Sequence, residues 1–298
     1  MPIPLILDTD IGDDVDDVFA LLLAALRPEL HLLGVTTVHG DTEYKARVAR
    51  KFLAMIGKDA VPVAAGHRTT LGGRDPGERL SSALGFVGPP GSDEWETLGG
   101  GIARAGAVDV LIETVRACPE PPVLVAIGPL TNVGDAFRRA PDLPRRLRSL
   151  ILMGGRLGTD AEKGEFNFNS DPPATRLVLE SGAPLKIGTY DVTSRARIGY
   201  AHLPRLRAGS PACRAAAEQL ERYMTLKPRA DTAMYDPLSL TLAYTGRYLV
   251  MRPVALRPSY ADRLVHLRVD ERAPPTAEVS VDLDAPAFIE HLLASIGA

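Results

Sequence analysis

Six carboxylates fall within ten residues near the start of this chain, at Asp8, Asp10, Asp13, Asp14, Asp16 and Asp17. Any fold the chain adopts must make that density tolerable. Two carboxylates about 5 Å apart in a partly buried site repel by roughly 3 kcal/mol at an effective dielectric near 20. No Lys or Arg lies between Met1 and Arg27, so the local sequence offers no counter-charge. A bound cation is then the economical way to keep several of these groups ionised. Ligands that are all oxygen favour a hard ion, Ca2+ or Mg2+, over zinc. Helix capping is the competing reading; it accounts for one or two of the carboxylates and not for six.

The flanks place this stretch between two elements. Ile3 to Leu7 is a short apolar run of the kind that forms a buried parallel strand. Val15, Val18, Phe19, Leu22 and Leu26 have the spacing of a helical face. The acidic stretch is therefore a strand-to-helix loop. Further on, His31–Val38 reads as a strand, Glu43–Ile56 as a helix and Val61–Val63 as a short strand. Strands alternating with helices at this spacing predict parallel βαβ units in an α/β, Rossmann-like open sheet, whose strand ends are where ligands bind. Asp41 follows a strand as Asp10 does, and serves equally well as a helix cap.

With 298 residues, 45% hydrophobic and 24% charged, the chain is expected to form a single soluble α/β domain over 1–298. A net charge of -3 argues against nucleic acid or a membrane surface as the main partner. Cys118 and Cys213 lack ligand-like spacing and read as reduced thiols of a cytoplasmic protein. No secretory signal and no bilayer-spanning run are recognised.

The periodic pattern lapses from Gly66 to Gly106, which predicts a functional loop carrying Trp95, either as a stacking platform or as a loop anchor. A helix is predicted near Ala107–Ala117 and a strand at Val123–Ile127 running into Gly128-Pro129-Leu130-Thr131-Asn132. That turn either caps a helix or offers a main-chain carbonyl to a cation. A strand at Leu150–Met153 ends in Gly154-Gly155, where a ligand can approach the backbone. In Glu165-Phe166-Asn167-Phe168-Asn169, an extended backbone would turn Glu165, Asn167 and Asn169 to one side, as a polar row suited to sugar hydroxyls over two buried Phe. Leu185–Thr189 is another strand, Ala212–Leu226 a helix, and Asp236-Pro237 the start of a further helix with Asp236 as its cap. Val265–Val269 and Ala277–Leu283 read as edge strands before a closing helix at Pro286–Ile296.

Taken together, Asp8-x-Asp10-x-Gly12 with Asp16-Asp17, Val35-Thr-Thr-Val-His-Gly-Asp41, Gly128-Pro-Leu-Thr-Asn132, Met153-Gly-Gly155, Glu165-Phe-Asn167 with Asp171-Pro172, and Asp236-Pro237 resemble the inosine-uridine preferring nucleoside hydrolase family, in the family's order and over the whole chain. The resemblance implies Ca2+-dependent hydrolysis of the N-glycosidic bond of ribonucleosides. It implies Asp10, Asp17 and Asp236 as carboxylate ligands, with the main-chain carbonyl of Thr131. Asp10 would also be the general base on a calcium-bound water that attacks C1′ through an oxocarbenium-like state. Asp16 and Asn167 would hold ribose hydroxyls and Glu165 the 5′-hydroxyl. Asp41 and Tyr235 complete the substrate-binding set, and a homodimer or homotetramer is expected.

Tyr235 stands where many members carry His as the acid for the departing base, and Asp41 and Thr159 stand where Asn is common. A phenol is a poor proton donor at neutral pH, which leaves the acid unassigned, with Arg229, Lys227 and Tyr223 as further candidates. Two rivals remain at this point. One is a non-catalytic, calcium-loaded nucleoside or ribose binding protein. The other is an aspartate-nucleophile phosphohydrolase, whose later Gly-Asp-x-x-x-Asp signature is not found.

Overall fold

In a computed structural model, residues 1–75, 85–88, 90–157, 161–261 and 264–298 are described. The apolar N-terminal run becomes strand β1 (Ile3–Thr9), and it alternates as a doubly covered strand must. Leu5 and Leu7 enter one hydrophobic cluster and Ile6 the other, on opposite faces of the sheet. The remaining strands are β2 (Leu30–Thr37), β3 (Val63–Ala65), β4 (Val123–Ala126), β5 (Ser149–Met153), β6 (Leu185–Gly188), β7 (Arg197–Gly199), β8 (Asp231–Ala233), β9 (Leu249–Val254), β10 (Leu256–Ala261), β11 (Leu264–Val269) and β12 (Ala277–Leu283).

Eight of these form one sheet in the order β3-β2-β1-β4-β5-β6-β12-β9. Every pairing in it is parallel except that of β12 with β9. The predicted Rossmann-like sheet is thus present. Its order reverses between β1 and β4, the topological switch at which open α/β sheets bind ligands.

The first helix, Asp16–Leu26, is buried on nearly all sides rather than on one face. Ala20, Leu21, Leu23 and Ala24 are as inaccessible as Phe19 and Leu22. It lies under the helices Thr42–Met55 and Ala285–Ile296 and against Tyr235–Leu240, which explains its uniformly apolar sequence. Truncating Phe19 to Ala would cost about 3–5 kcal/mol.

Three expectations are corrected. Ala277–Leu283 is not an edge strand: it sits between β6 and β9, and β9, unforeseen in the sequence, takes the edge. Val265–Val269 leaves the sheet and pairs antiparallel with β10 as a separate hairpin. Within the stretch expected to be a loop, Asp93–Gly99 is helical, with Ser92 accepting the Trp95 N–H at its N-terminus. The Ser-Asp-Glu sequence of a capped, acidic first turn was its signal. No helix among the described residues is long and apolar enough to cross a membrane.

Candidate active site

A cavity of about 730 Å³ opens at the carboxyl ends of the central strands. Asp10, Ile127, Met153 and Tyr190 line it, each at or just past the end of β1, β4, β5 or β6. The acidic loop wraps one side. Gly12, at φ 103°, takes a conformation that favours glycine and turns the chain back. At Gly128 a Cβ would stand 2.8 Å from an Asp10 carboxylate oxygen and 2.9 Å from its main-chain nitrogen. Only a bare backbone lets β4 deliver its end so close to Asp10.

Asp16, Asp17 and Asp236 converge, with one oxygen from each lying within 4.8 Å of the others, and all three are buried. Asp236 does not cap its helix. The helix begins at Tyr235, and it is the Asp16 carboxylate that accepts the Asp236 N–H, at 3.2 Å. The Thr9 hydroxyl donates to Asp17. Burial is the largest reason Asp16 is pushed up to about 7, with the charge of Asp14 next. Burial also raises Asp17 and Asp236 well above the usual carboxylate range, followed by repulsion from Asp10 and Asp16 at Asp17 and from Asp16 and Asp17 at Asp236. Such a set of hard oxygen donors fits a divalent cation. Asp10 lines the same cavity.

The other two carboxylates of the loop have partners. Asp13 takes the Lys45 ammonium at 2.8 Å, with the lysine side chain fully buried. Lys45 comes from the second helix and is the counter-charge that the local sequence lacks. Nothing in a linear reading brings residue 45 to residue 13. Asp14 accepts from the Tyr223 hydroxyl and, at 3.2 Å, from Lys227. Asp8 lies behind the site, where Thr36 and Asn132 donate to one of its oxygens at 2.5 and 2.8 Å; burial leads the causes that push it up to about 6.

Opposite the acidic loop, the chain past Glu165 is not extended. Phe166–Ser170 is a short helix that Glu165 caps, accepting from the N–H groups of Asn167 and Phe168 at 2.8 and 3.2 Å and from Gly155 at 3.1 Å. Capping wins because a carboxylate at this position satisfies the free donors of a helix start. Glu165, Asn167 and Asn169 still all line the cavity. The Asn167 amide nitrogen donates to the carbonyls of Ile127 and Met153 at 2.9 and 3.1 Å, which leaves its oxygen as the end that can serve a hydroxyl. Phe168 is buried, but Phe166 is 37% exposed and forms part of the cavity wall.

Two expected site residues are set apart. Asp41 caps the second helix, accepting the Tyr44 N–H at 3.1 Å, and does not line the cavity. Thr131 is the first residue of the helix Thr131–Arg139; its hydroxyl donates to Asp171 at 2.8 Å and its carbonyl belongs to the helix. The main-chain neighbour of the cavity in that turn is Ile127. Thr159 lies outside the described residues. Trp95 packs against Tyr44 and under the Arg47 guanidinium, 3.8 Å from its ring centroid, away from the cavity. It anchors a loop.

Tyr235 does line the cavity and stacks on Tyr190, with ring centroids 5.6 Å apart. Burial, then Tyr190 and Asp16, push its phenol far above the ordinary tyrosine range, which makes it a poorer proton donor still. Tyr190 and Arg156 were not singled out in the sequence. The only hint was Gly154-Gly155, immediately before Arg156.

A sequence profile of the inosine-uridine preferring nucleoside hydrolases matches residues 5–290. The pyrimidine-specific ribonucleoside hydrolase RihA of Enterobacter sp. (strain 638) is 34% identical over 231 residues, covering 75% of this chain and 72% of its own length. Among solved structures, the purine-preferring ribonucleoside hydrolase from Gardnerella vaginalis superposes with a TM-score of 0.84 at 25% identity over 98% of both chains. The plant nucleoside hydrolase PpNRh1 superposes with a TM-score of 0.86 at 23% identity over 100% of both.

Proposed function

Because the chain belongs to the inosine-uridine preferring nucleoside hydrolase family, we propose that it acts as a single Ca2+-dependent domain that hydrolyses the N-glycosidic bond of ribonucleosides to ribose and free base. The observation that carries this reading is the convergence of the buried carboxylates Asp16, Asp17 and Asp236 at the sheet's switch point. Asp10, Asp17 and Asp236 would hold the ion, with Asp16 at the same oxygen set. The Ile127 carbonyl takes the place first expected of Thr131. When bound, the ion cancels carboxylate repulsion and gathers the sugar's vicinal hydroxyls and the attacking water.

Asp10 receives the proton of that water as its oxygen bonds to C1′. The acidic cavity stabilises the positive charge that develops on the sugar ring. Asn167 accepts a ribose hydroxyl through its amide oxygen. Glu165, already fixed by three backbone N–H groups, stands at the 5′ end. Phe166 and the Tyr190–Tyr235 stack supply apolar wall for the base.

Ribose release from a panel of purine and pyrimidine nucleosides, with and without chelation, tests the reading. Release is expected from at least one class. It should be abolished by chelation, restored by Ca2+ and lost in Asp10→Asn. Tight nucleoside binding without release would instead support the non-catalytic binder. The panel also ranks base preference, on which RihA and the Gardnerella enzyme differ by their names.

A further inference from the structure

Cleaving an N-glycosidic bond sends the bonding electron pair away with the base, so some group must meet negative charge at that end of the cavity. Tyr235 is poorly suited to give a proton, and Lys227 is committed to Asp14 and to the Tyr223 hydroxyl, each at 3.2 Å. Beyond Lys227 the cavity is lined by Lys163 and Arg156, and Arg156 is the one set against the Tyr190–Tyr235 wall. Its guanidinium lies 3.7 Å from the centroid of the Tyr190 ring, and Tyr190 stacks on Tyr235. Its Nε is buried without a hydrogen-bond partner among the described residues, and its charge favours the ionised form of Glu165. A buried donor left unpaired is costly, and here it belongs to a side chain in a cavity wall.

The backbone around Arg156 is held on both sides. The Gly155 N–H donates to Glu165 at 3.1 Å, the Gly155 carbonyl accepts from the Tyr190 N–H at 2.9 Å, and the Leu157 N–H donates to Asp191 at 2.7 Å. A cation on a long side chain is thus pinned at its root and stacked at its head, which is the preorganisation that electrostatic catalysis requires. Its planar fork, unlike an ammonium, can donate to an oxygen of a heterocycle while stacked.

We propose that Arg156 is the leaving-group residue of this enzyme, donating an N–H to an oxygen of the departing base and stabilising it as an anion. The assignment rests on the nucleoside hydrolase reading above. As the C1′–N bond breaks, its electron pair goes to the base, where Arg156 holds the negative charge. The water oxygen forms the new bond to C1′ and its proton passes to Asp10. Solvent then protonates the released base and takes the proton back from Asp10, so the sum is nucleoside plus water to ribose plus base.

The test compares substrates that differ in their need for such help: uridine and inosine, whose bases leave poorly, and p-nitrophenyl β-D-riboside, whose phenolate leaves unaided. Arg156→Met is expected to lower kcat/KM on the nucleosides by about 10²-fold while changing p-nitrophenyl riboside hydrolysis by less than about 3-fold. Arg156→Lys should recover part of the nucleoside loss. Activity retained on p-nitrophenyl riboside also shows that the variant is folded. Equal losses on both substrate types, or no loss on either, would overturn the assignment and leave the hydrolase standing. If the unaltered protein, loaded with Ca2+, cleaves neither type, the hydrolase reading fails first and the assignment fails with it.

Discussion

Asp13 on the acidic loop and Asp17 in the first turn of the helix that follows sit four positions apart, both buried, and they are opposites. Asp13 is matched by a fully buried ammonium at 2.8 Å. Asp17 meets a threonine hydroxyl and more carboxylates. The first arrangement is complete within the chain and holds the second helix to the loop. The second is incomplete, with acceptors converging and burial resisting their ionisation. Burial of charge in a fold is therefore not one phenomenon: a paired group serves architecture, and a group of like charges without a partner points to something from outside.

If that contrast is right, Asp17→Asn should lower nucleoside hydrolysis by at least about 10³-fold yet leave the metal-free protein as stable as before, or more so, by thermal denaturation. A large loss of metal-free stability would erase the distinction. Lys45→Met should do the reverse, stranding Asp13 and costing about 3–5 kcal/mol of unfolding free energy, read from denaturant titration. A loss below about 1 kcal/mol would mean that the pair is dispensable.

The pH dependence should separate the two sets as well. Asp16, at about 7, and Asp8, at about 6, are raised above the ordinary carboxylate value of 3.8. The folded metal-free protein therefore binds more protons than the unfolded chain between these values. Its stability should fall as pH rises through about 4 to 7, by up to about 1.4 kcal/mol per pH unit for each such group. Saturating Ca2+ should flatten the part of this slope due to Asp16, and a slope of opposite sign would refute the account. The smallest effect is expected at Asp41. Asp41→Ala should remove a helix cap worth about 1 kcal/mol and leave kcat/KM for the best nucleoside within about 2-fold, since Asp41 is not among the residues lining the cavity. A kcat/KM loss of more than about 10-fold would return Asp41 to the site.

How much of this was legible in the residues follows from the range of the forces involved. The βαβ order and the acidic loop are written in local periodicity and composition, and the sheet and cavity follow them. Lys45 could not be found, because its pairing with Asp13 crosses a helix connection and leaves no sequence pattern. Thr131 was expected and Ile127 was not considered, because the Gly-Pro turn names a neighbourhood and not an atom; the helix that begins at Thr131 claims its carbonyl. The polar row at 165–169 was read with a period of two, where the capping carboxylate of Glu165 imposes a helix instead. The hairpin and β9 escaped notice because short β-rich segments do not encode which strand they will join.

The order in which the chain is made gives the site a timetable. The acidic loop leaves the ribosome before the rest of the site, and Asp16 meets the Asp236 N–H only across a separation of 220 residues. The wall at Tyr190 waits longer still, because the preceding Thr189 N–H is held at 2.8 Å by the hydroxyl of Ser280 on β12. A nascent chain therefore carries its densest charge without the third carboxylate of the cluster while the intervening residues are made. Assembly of the cluster is thus a late event, and a chain stalled before β12 would retain the acidic loop but not the finished cavity.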